Sequence, residues 1–194
     1  VGKNKNLTKY EMICSQMTGK MPWGMSKVIR KDLVEKAGNG FLNINVGEEA
    51  IFSYEVLKRA QYITFADKVI YHYVQSGTGQ HTKGNYDPWK PLVEKMKEHL
   101  IASGEYDKYE DTINSLALKA LEICIYRCSF EKKIGKSLDL IRINYIEYKE
   151  KYNFSKINKA VLDKNTLIIL ELLKKKLFLI LVLASKIRKM KMAY

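Results

Sequence analysis

The helical spacing of apolar residues throughout the second half of the chain constrains the fold most strongly. Apolar side chains recur there at intervals of three and four residues, the period that covers one face of an α-helix. Polar or glycine-containing interruptions at Ser103-Gly104, Gly135 and Asn153 separate the segments. The pattern predicts an all-helical second half, with helices over residues 88–103, 106–130, 137–152 and 165–189.

The first part of the chain mixes helical and extended patterns. Apolar residues from Leu7 to Met17 follow helical spacing, and Thr8 is placed to cap that helix. Further helices are predicted over residues 31–36 and from Glu48 to Ala60. Partial alternation predicts a strand or ordered loop over residues 41–46. β-Branched and aromatic residues predict two short strands, at residues 62–65 and 68–74. The inward stripe of the third helix is expected to be Phe52, Val56, Leu57 and Ala60.

A polar segment separates these two parts. Residues 75–84 contain no apolar side chain and three glycines, which is typical of a loop or a boundary. We therefore predict one unit over residues 1–84 and a helical C-terminal domain over residues 85–194. The expected fold is α+β and mainly helical, with short strands followed by a C-terminal helical bundle. A 46% share of hydrophobic residues suffices for a packed core.

The charge is strongly positive, at a formal +13, and favours anionic partners such as nucleic acid, acidic phospholipids or nucleotide phosphates. Residues 164–194 carry eight Lys or Arg against one acid, Glu171. Their continuous apolar run, residues 177–184, is much shorter than the ~20 residues that span a bilayer. This tail is expected either to pack against the other helices or to lie on a membrane surface as a basic amphipathic helix.

The cysteines and the start of the chain indicate the setting. Cys14, Cys124 and Cys128 are odd in number and scattered, unlike the disulfide framework of a small secreted protein. Buried thiols in a reducing cytoplasm are expected. The sequence opens at Val1 with a polar stretch and no secretory signal, which favours a piece of a longer protein.

Three blocks in the first part follow one another in a characteristic order: residues 22–33 (PWGMSKVIRKDL), 46–52 (VGEEAIF) and 69–73 (VIYHY). Together they resemble the later part of bacterial family-2 glycosyltransferases. The first block is similar to a stretch that lines the active-site floor in that family, the second to a Gly-Glu-Asp-x-x-Phe motif, and the third to a Leu-Tyr-x-Tyr strand. The resemblance covers roughly residues 8–80.

The resemblance implies a GT-A fold, in which a Rossmann-like sheet binds a nucleotide-diphosphate sugar through an Asp-x-Asp motif and Mg²⁺ or Mn²⁺. No Asp-x-Asp occurs in this sequence. The donor-binding half and its metal are therefore expected upstream in the complete protein, and this chain is expected to be its acceptor-side part, inactive alone. The implied acceptor is a saccharide or lipid-linked saccharide of cell-surface polysaccharide synthesis, at the inner face of the cell membrane.

Inverting sugar transfer needs a carboxylate within hydrogen-bond reach of the acceptor hydroxyl. The resemblance assigns this base to Glu49, where the family has the shorter Asp, and makes Glu48 a candidate acceptor contact. In the predicted helix Glu49 shares the inward face with Phe52 and Val56, whereas Glu48 points about 100° away. The alternative for both acids is simple stabilisation of a helix N-terminus.

The resemblance supplies five further candidates. Trp23, Lys27 and Arg30 are implied to lie beside the donor, with Trp23 offering an apolar face to a sugar ring or simply packing in the core. His72 resembles a histidine metal ligand of some GT-A enzymes, and the alternative is a core histidine. His81 is a candidate substrate contact in a glycine-rich segment that either closes over the substrates or serves as a linker.

A different class of protein also fits the charge. A basic helical module that binds nucleic acid or another partner without catalysis is suggested by the +13 charge and a pI near 9.5. The sequence contains no zinc-finger, RNA-recognition or basic-zipper signature, and much of its basicity lies beside an apolar run. A catalytically silent scaffold derived from the glycosyltransferase remains a third interpretation.

Overall fold

The computed structural model describes residues 7–23, 27–38, 41–65, 72 and 85–192. Within these ranges the chain forms eight α-helices and one 3-10 turn, Lys159–Val161, and no β-strand. The helices are α1 Lys9–Met17, α2 Lys31–Ala37, α3 Ala50–Arg59, α4 Lys90–Ala102, α5 Tyr106–Cys128, α6 Ile134–Lys151, α7 Lys164–Lys174 and α8 Phe178–Met192.

The helical architecture corrects the predicted α+β fold. Residues 41–46 form a loop with bends, and residues 62–65 belong to no regular element. A strand is stable only when a neighbour satisfies its backbone hydrogen bonds, and no such neighbour exists in the described ranges. The third predicted strand, residues 68–74, lies outside the described residues except for His72, which belongs to no regular element.

Local signals predicted the short helices of the first part well. The Thr8 hydroxyl accepts from the Glu11 amide (3.2 Å), and the Glu11 carboxylate accepts from the Thr8 amide (2.7 Å), so α1 begins with a complete capping box. Helix α2 forms where expected and ends at Gly38, whose φ is +68°. Helix α3 begins at Ala50, two residues later than predicted, and buries Val56, Leu57 and Ala60 but only half-buries Phe52.

The predicted single helix over residues 165–189 is wrong, because the chain turns back between α7 and α8. The amide of Lys176 donates to the Leu173 carbonyl and the amide of Leu177 donates to the Leu172 carbonyl, both at 2.9 Å. These two bonds form a Schellman motif, and Lys176 adopts the left-handed φ of 55° that it requires. The turn lets both short helices pack against α5.

Helix α5 is the centre of the molecule. Every residue from Thr112 to Leu118 is buried, because α1, α4, α6, α7 and α8 all pack around this helix.

The three cysteines are buried and unlinked, as predicted. The division predicted after residue 84 stays a prediction, but one continuous core includes α1 and α3 before it and α4 to α8 after it. None of the described helices is long and apolar enough to cross a membrane.

Candidate functional site

The turn before α3 carries Gly47, Glu48 and Glu49. The Ala50 amide donates to the Gly47 carbonyl (2.9 Å), and the Leu42 amide donates to the Glu48 carbonyl (2.7 Å). These bonds fix the turn to the helix on one side and to the preceding loop on the other. Because α3 begins at Ala50, Glu49 is the N-cap residue rather than a member of the first turn.

Gly47 is required by the geometry of this turn. Its φ is +74°, a left-handed value that side chains with a Cβ rarely adopt. A Cβ at this position would also lie 2.7 Å from Cδ2 of Leu92, a residue of α4 that packs in the protein core. The glycine thus lets the turn press against α4, and this contact sets the position of the two acids that follow.

Glu49 is more buried than Glu48, as predicted. The two residues lie in the turn before α3 and not within the helix, so the turn produces this difference. Glu48 is exposed and Glu49 is half-buried. The Glu49 carbonyl accepts from the Ser53 amide at 2.9 Å, but its carboxylate makes no capping hydrogen bond to α3. Helix capping therefore does not occupy the Glu49 carboxylate, which remains available for other chemistry.

Lys27 lies close enough to Glu49 for their charges to interact. Its ammonium donates to the backbone carbonyls of Pro22 and Trp23. Burial lowers the pKa of Lys27 to about 8, and the negative charge of Glu49 opposes this shift. The two residues therefore interact electrostatically, although they are far apart in the sequence.

Trp23 completes this cluster. Its carbonyl accepts from the Ser53 hydroxyl in α3 and from Lys27. Its ring lies against Gly19 and against Trp89, with the two tryptophan ring centroids 5.1 Å apart. The indole Nε1 is buried and has no hydrogen-bond partner among the described residues. Trp23 is half-buried, so packing accounts for much of its surface while its backbone anchors Lys27 and α3.

The structure does not bring the other sequence-predicted residues into this cluster. Arg30 is exposed and forms a two-point ion pair with Asp32 (3.0 and 3.1 Å) at the start of α2. Glu48 faces solvent. His72 is exposed, which excludes the interpretation as a core histidine. His81 lies outside the described residues.

Sequence reasoning missed Gln16, which joins α1 to the beginning of α3. Gln16 is fully buried, and its Nε2 donates to the Ala50 carbonyl at 3.2 Å. Its Oε1 has no partner among the described residues. A buried amide with a free acceptor is costly in a helix interface, so its presence beside Glu49 marks a polar site. The sequence signal was a glutamine within the apolar face formed by Ile13 and Met17.

A second polar cluster, also missed, lies at the other end of α3. His99 Nε2 of α4 lies 2.7 Å from Glu55 Oε1, and Arg59 also pairs with Glu55. The Tyr54 hydroxyl donates to Glu105 at 2.7 Å, and Lys58 pairs with the same carboxylate. Burial lowers the pKa of His99, and the positive charge of Lys58 acts in the same direction. These bonds tie α3 to α4 and to the start of α5.

Asp87 is a half-buried residue that precedes the α4 helix. The Tyr148 hydroxyl donates to its Oδ2 at 2.8 Å, while Oδ1 is buried without a partner among the described residues. Burial raises the pKa of Asp87 to about 6, against the lowering effect of the Tyr148 bond and of the Lys90 charge. Trp89, two residues further on, packs against Trp23. The segment 87–89 therefore joins Asp87 to the group formed by Trp23, Lys27 and the start of α3.

A concavity of about 570 Å³ lies elsewhere, between the ends of α5, α6 and α7. None of the sequence-predicted site residues lines it. Three of its aromatic residues are Tyr106, Tyr145 and Tyr152, and several of its polar side chains already bond backbone groups or side chains next to the groove. Asn114, for example, donates to the Lys156 carbonyl (2.9 Å) and accepts from the Asn153 amide (3.1 Å). This groove is therefore a weaker candidate than the turn before α3.

The described residues do not fit the divalent metal that the resemblance implies. No group of three or more His, Cys, Asp or Glu side chains in those ranges could hold a metal ion. The chain matches no known family model, no curated protein and no solved structure.

Proposed function

We propose that this chain is the acceptor-side, C-terminal portion of a glycosyltransferase, with Glu49 as the general base. One observation carries the proposal: Trp23, which one motif block singles out together with Lys27, contacts Ser53 in the first turn of α3, the helix that Glu49 precedes. The Glu49 charge acts on Lys27, and Lys27 contacts the carbonyl of Trp23. Trp23 contacts Ser53 of α3, whose amide donates to the Glu49 carbonyl, and this connection between two separate motif blocks supports a shared site.

In the proposed reaction, the Glu49 carboxylate accepts the proton of an acceptor hydroxyl as that oxygen attacks the anomeric carbon of the donor sugar. The bond to the nucleotide diphosphate breaks at the same carbon. The half-buried position of Glu49 and the absence of a capping bond from its carboxylate support this role. Lys27 supplies a positive charge beside it, suited to an anionic substrate group.

The donor and its divalent metal belong, in this proposal, to a part of the complete protein that precedes residue 1. The acceptor is a saccharide or lipid-linked saccharide used to build a cell-surface polysaccharide. We further propose that the protein works in the cytoplasm, at the inner face of the cell membrane.

The test of Glu49 is its conversion to Gln in the complete protein, with Glu48→Gln as a matched control. Glu49→Gln keeps the size and polarity of the side chain but removes the base. We expect sugar transfer to fall by about 10²–10⁴-fold with donor affinity unchanged. Glu48→Gln should retain most of the activity because Glu48 is exposed. Full turnover in Glu49→Gln would remove Glu49 as the base.

A nucleic-acid-binding module is the second candidate, favoured by the net charge of +13. A gel shift at increasing salt separates the two proposals. A nucleic-acid-binding protein gives tight complexes that weaken steeply with salt, whereas a glycosyltransferase part gives only weak, sequence-independent retardation.

A further inference from the structure

The C-terminal helical hairpin, α7 and α8, has an exposed apolar side that the fold leaves uncovered. We call it the tail face. Helix α8 packs into the core through Leu181 and Val182, which are 3% and 0% exposed. The remaining large apolar side chains of the hairpin's surface are between 38% and 57% exposed. They are Ile168, Leu177, Leu179, Ile180, Leu183 and Ile187.

These side chains form a stripe rather than a scatter. Leu179, Ile180, Leu183 and Ile187 are separated by one, three and four residues, so they project from one side of α8. Single exposed apolar residues are normal on a protein surface, but a continuous row along a helix marks an interaction site. The hairpin therefore has two apolar sides, one in the core and one facing outward.

Cations accompany the stripe. Lys175 and Lys176 are exposed in the turn that leads directly into α8. Glu171 is the sole acid in residues 164–194, and it pairs with Lys174 at 2.9 Å. Further along α8, the Lys186 ammonium donates to the Glu131 carbonyl and Arg188 lies over the Tyr126 ring, so these two cations contact α5 and the segment that follows it. A partner for this face must accept apolar side chains and must carry negative charge.

We propose that the tail face docks on an anionic phospholipid bilayer, with α8 lying in the plane of the headgroups. Apolar side chains along one side of a helix enter the headgroup–acyl boundary, and the adjacent lysines interact with acidic lipids. A bilayer takes a convex helix without a complementary groove, which suits a stripe that protrudes from the surface. The inference builds on the proposed location at the membrane but not on catalysis by Glu49, so the two proposals fail separately.

The apolar part of the proposal is tested by co-sedimentation of the full chain with phosphatidylcholine vesicles that contain or lack phosphatidylglycerol. We expect binding only to the anionic vesicles. Ile180→Asp should weaken that binding by ~10-fold or more, since it places a charge in the stripe. Ile101→Asp is the matched control, because Ile101 is similarly exposed but lies at the end of α4. Equal binding by both variants would overturn the proposal.

The charged part is tested with the double variant Lys175→Gln/Lys176→Gln against Lys132→Gln/Lys133→Gln. Both pairs are adjacent, exposed lysines and both variants lower the net charge equally, but the control pair follows Glu131, which contacts Lys186 of α8, so the exposed pair Lys31→Gln/Lys36→Gln in α2 serves as a second, remote control. We expect the tail variant to lose about 10-fold in affinity for anionic vesicles and the control to lose little. Equal losses would mean that net charge alone drives binding, which contradicts a specific face.

Size-exclusion chromatography without lipid tests whether the tail face binds a second copy of the chain instead. If the original chain dimerises and does not bind vesicles, and if Ile180→Asp abolishes the dimer, the tail face is a dimer interface and the membrane proposal is overturned. Circular dichroism confirms that each variant retains its helices.

Discussion

Among single residues, Gly47 explains why the acids of the candidate site stand where they do. The left-handed backbone at Gly47 turns the chain into α3, and the missing Cβ lets the turn contact Leu92. The glycine of the Gly-Glu-Glu motif is therefore also required by the structure of the turn, whatever chemistry the two acids perform. The glycine places Glu49 at the helix start, and the packing against α4 keeps it there.

Replacing Gly47 by Ala should destabilise the protein by about 2–4 kcal/mol, because left-handed backbone strain and a clash with Leu92 add together. Gly104 is the control, since its φ is also positive, at +70°, but nothing lies within 4 Å of an added Cβ. Gly104→Ala should cost only the backbone part, about 1 kcal/mol. Urea unfolding measures both, and equal losses would show that the Leu92 contact is unimportant.

Asp87 predicts a specific pH dependence of stability. Its pKa is raised to about 6 in the folded state, against about 3.9 when unfolded, so the folded state binds more protons between these values. The stabilising contribution of the protonated group is complete below pH ~4 and is lost as pH rises through about 6. Ionised Asp87 therefore weakens the fold at pH 7.

Asp87→Asn should consequently gain stability relative to the original chain as the pH rises from 4 to 7, by roughly 2–3 kcal/mol. Other titrating groups cancel in this comparison because they are common to both proteins. Thermal unfolding at a series of pH values provides the measurement, with the exposed Asp107→Asn as control. A pH-independent difference between the original chain and Asp87→Asn would contradict burial as the cause of the shift.

Among the helices, the turn between α7 and α8 shows how a Schellman motif overrides an apolar pattern. Residues 165–189 keep helical spacing through the turn, so spacing alone predicts one helix. Folding back instead places Leu173 of α7 and Leu181 and Val182 of α8 in the core. Burial of these side chains outweighs the cost of a left-handed Lys176.

Lys176→Gly should stabilise the protein by about 1 kcal/mol, because glycine adopts a φ of 55° without steric cost. The end of α4 gives an internal comparison: there Gly104 occupies the equivalent position, with the Glu105 amide bonded to the Leu100 carbonyl at 2.8 Å. Thermal unfolding of Lys176→Gly, compared with Lys175→Gly, measures the effect. Lys175→Gly should not stabilise, since that residue keeps a right-handed φ of −82°.

For the whole molecule, the continuous core predicts cooperative unfolding across the boundary suggested at residues 75–84. Met17 of α1, Leu57 of α3 and Leu121 of α5 belong to one cluster. Removal of either side would expose apolar surface on the other, so neither part is expected to remain folded when the other unfolds.

Denaturant unfolding followed by two probes tests this expectation. In a Trp89→Phe variant, tryptophan fluorescence reports on Trp23 alone, which lies before the boundary, and far-ultraviolet circular dichroism reports mainly on the long helices α5 and α6 after it. The two transitions should coincide, and Leu121→Ala should shift both together by about 2–5 kcal/mol. Separate midpoints would establish two independent domains, as the polar segment suggests.

The residues of the candidate site could be named from sequence, but their arrangement could not. The motifs pointed to Trp23, Lys27 and Glu49, and these three lie together. They also pointed to Arg30, which pairs with Asp32 in solvent. The polar partners Gln16 and Glu55 carry no motif, because their role depends on burial at an interface between helices that are distant in the sequence.

The sequence by itself determined the helices, the cap at Thr8, the burial of the thiols and the basic character of the tail. These properties depend on residues within one or two helical turns of each other, so local spacing suffices to predict them. Only the tertiary structure decided that residues 41–46 and 62–65 are not strands, that the tail folds into two helices, and that Lys27 meets Glu49. Strand pairing, helix reversal and the burial of charge all depend on contacts between distant residues, whose free energy no local pattern contains.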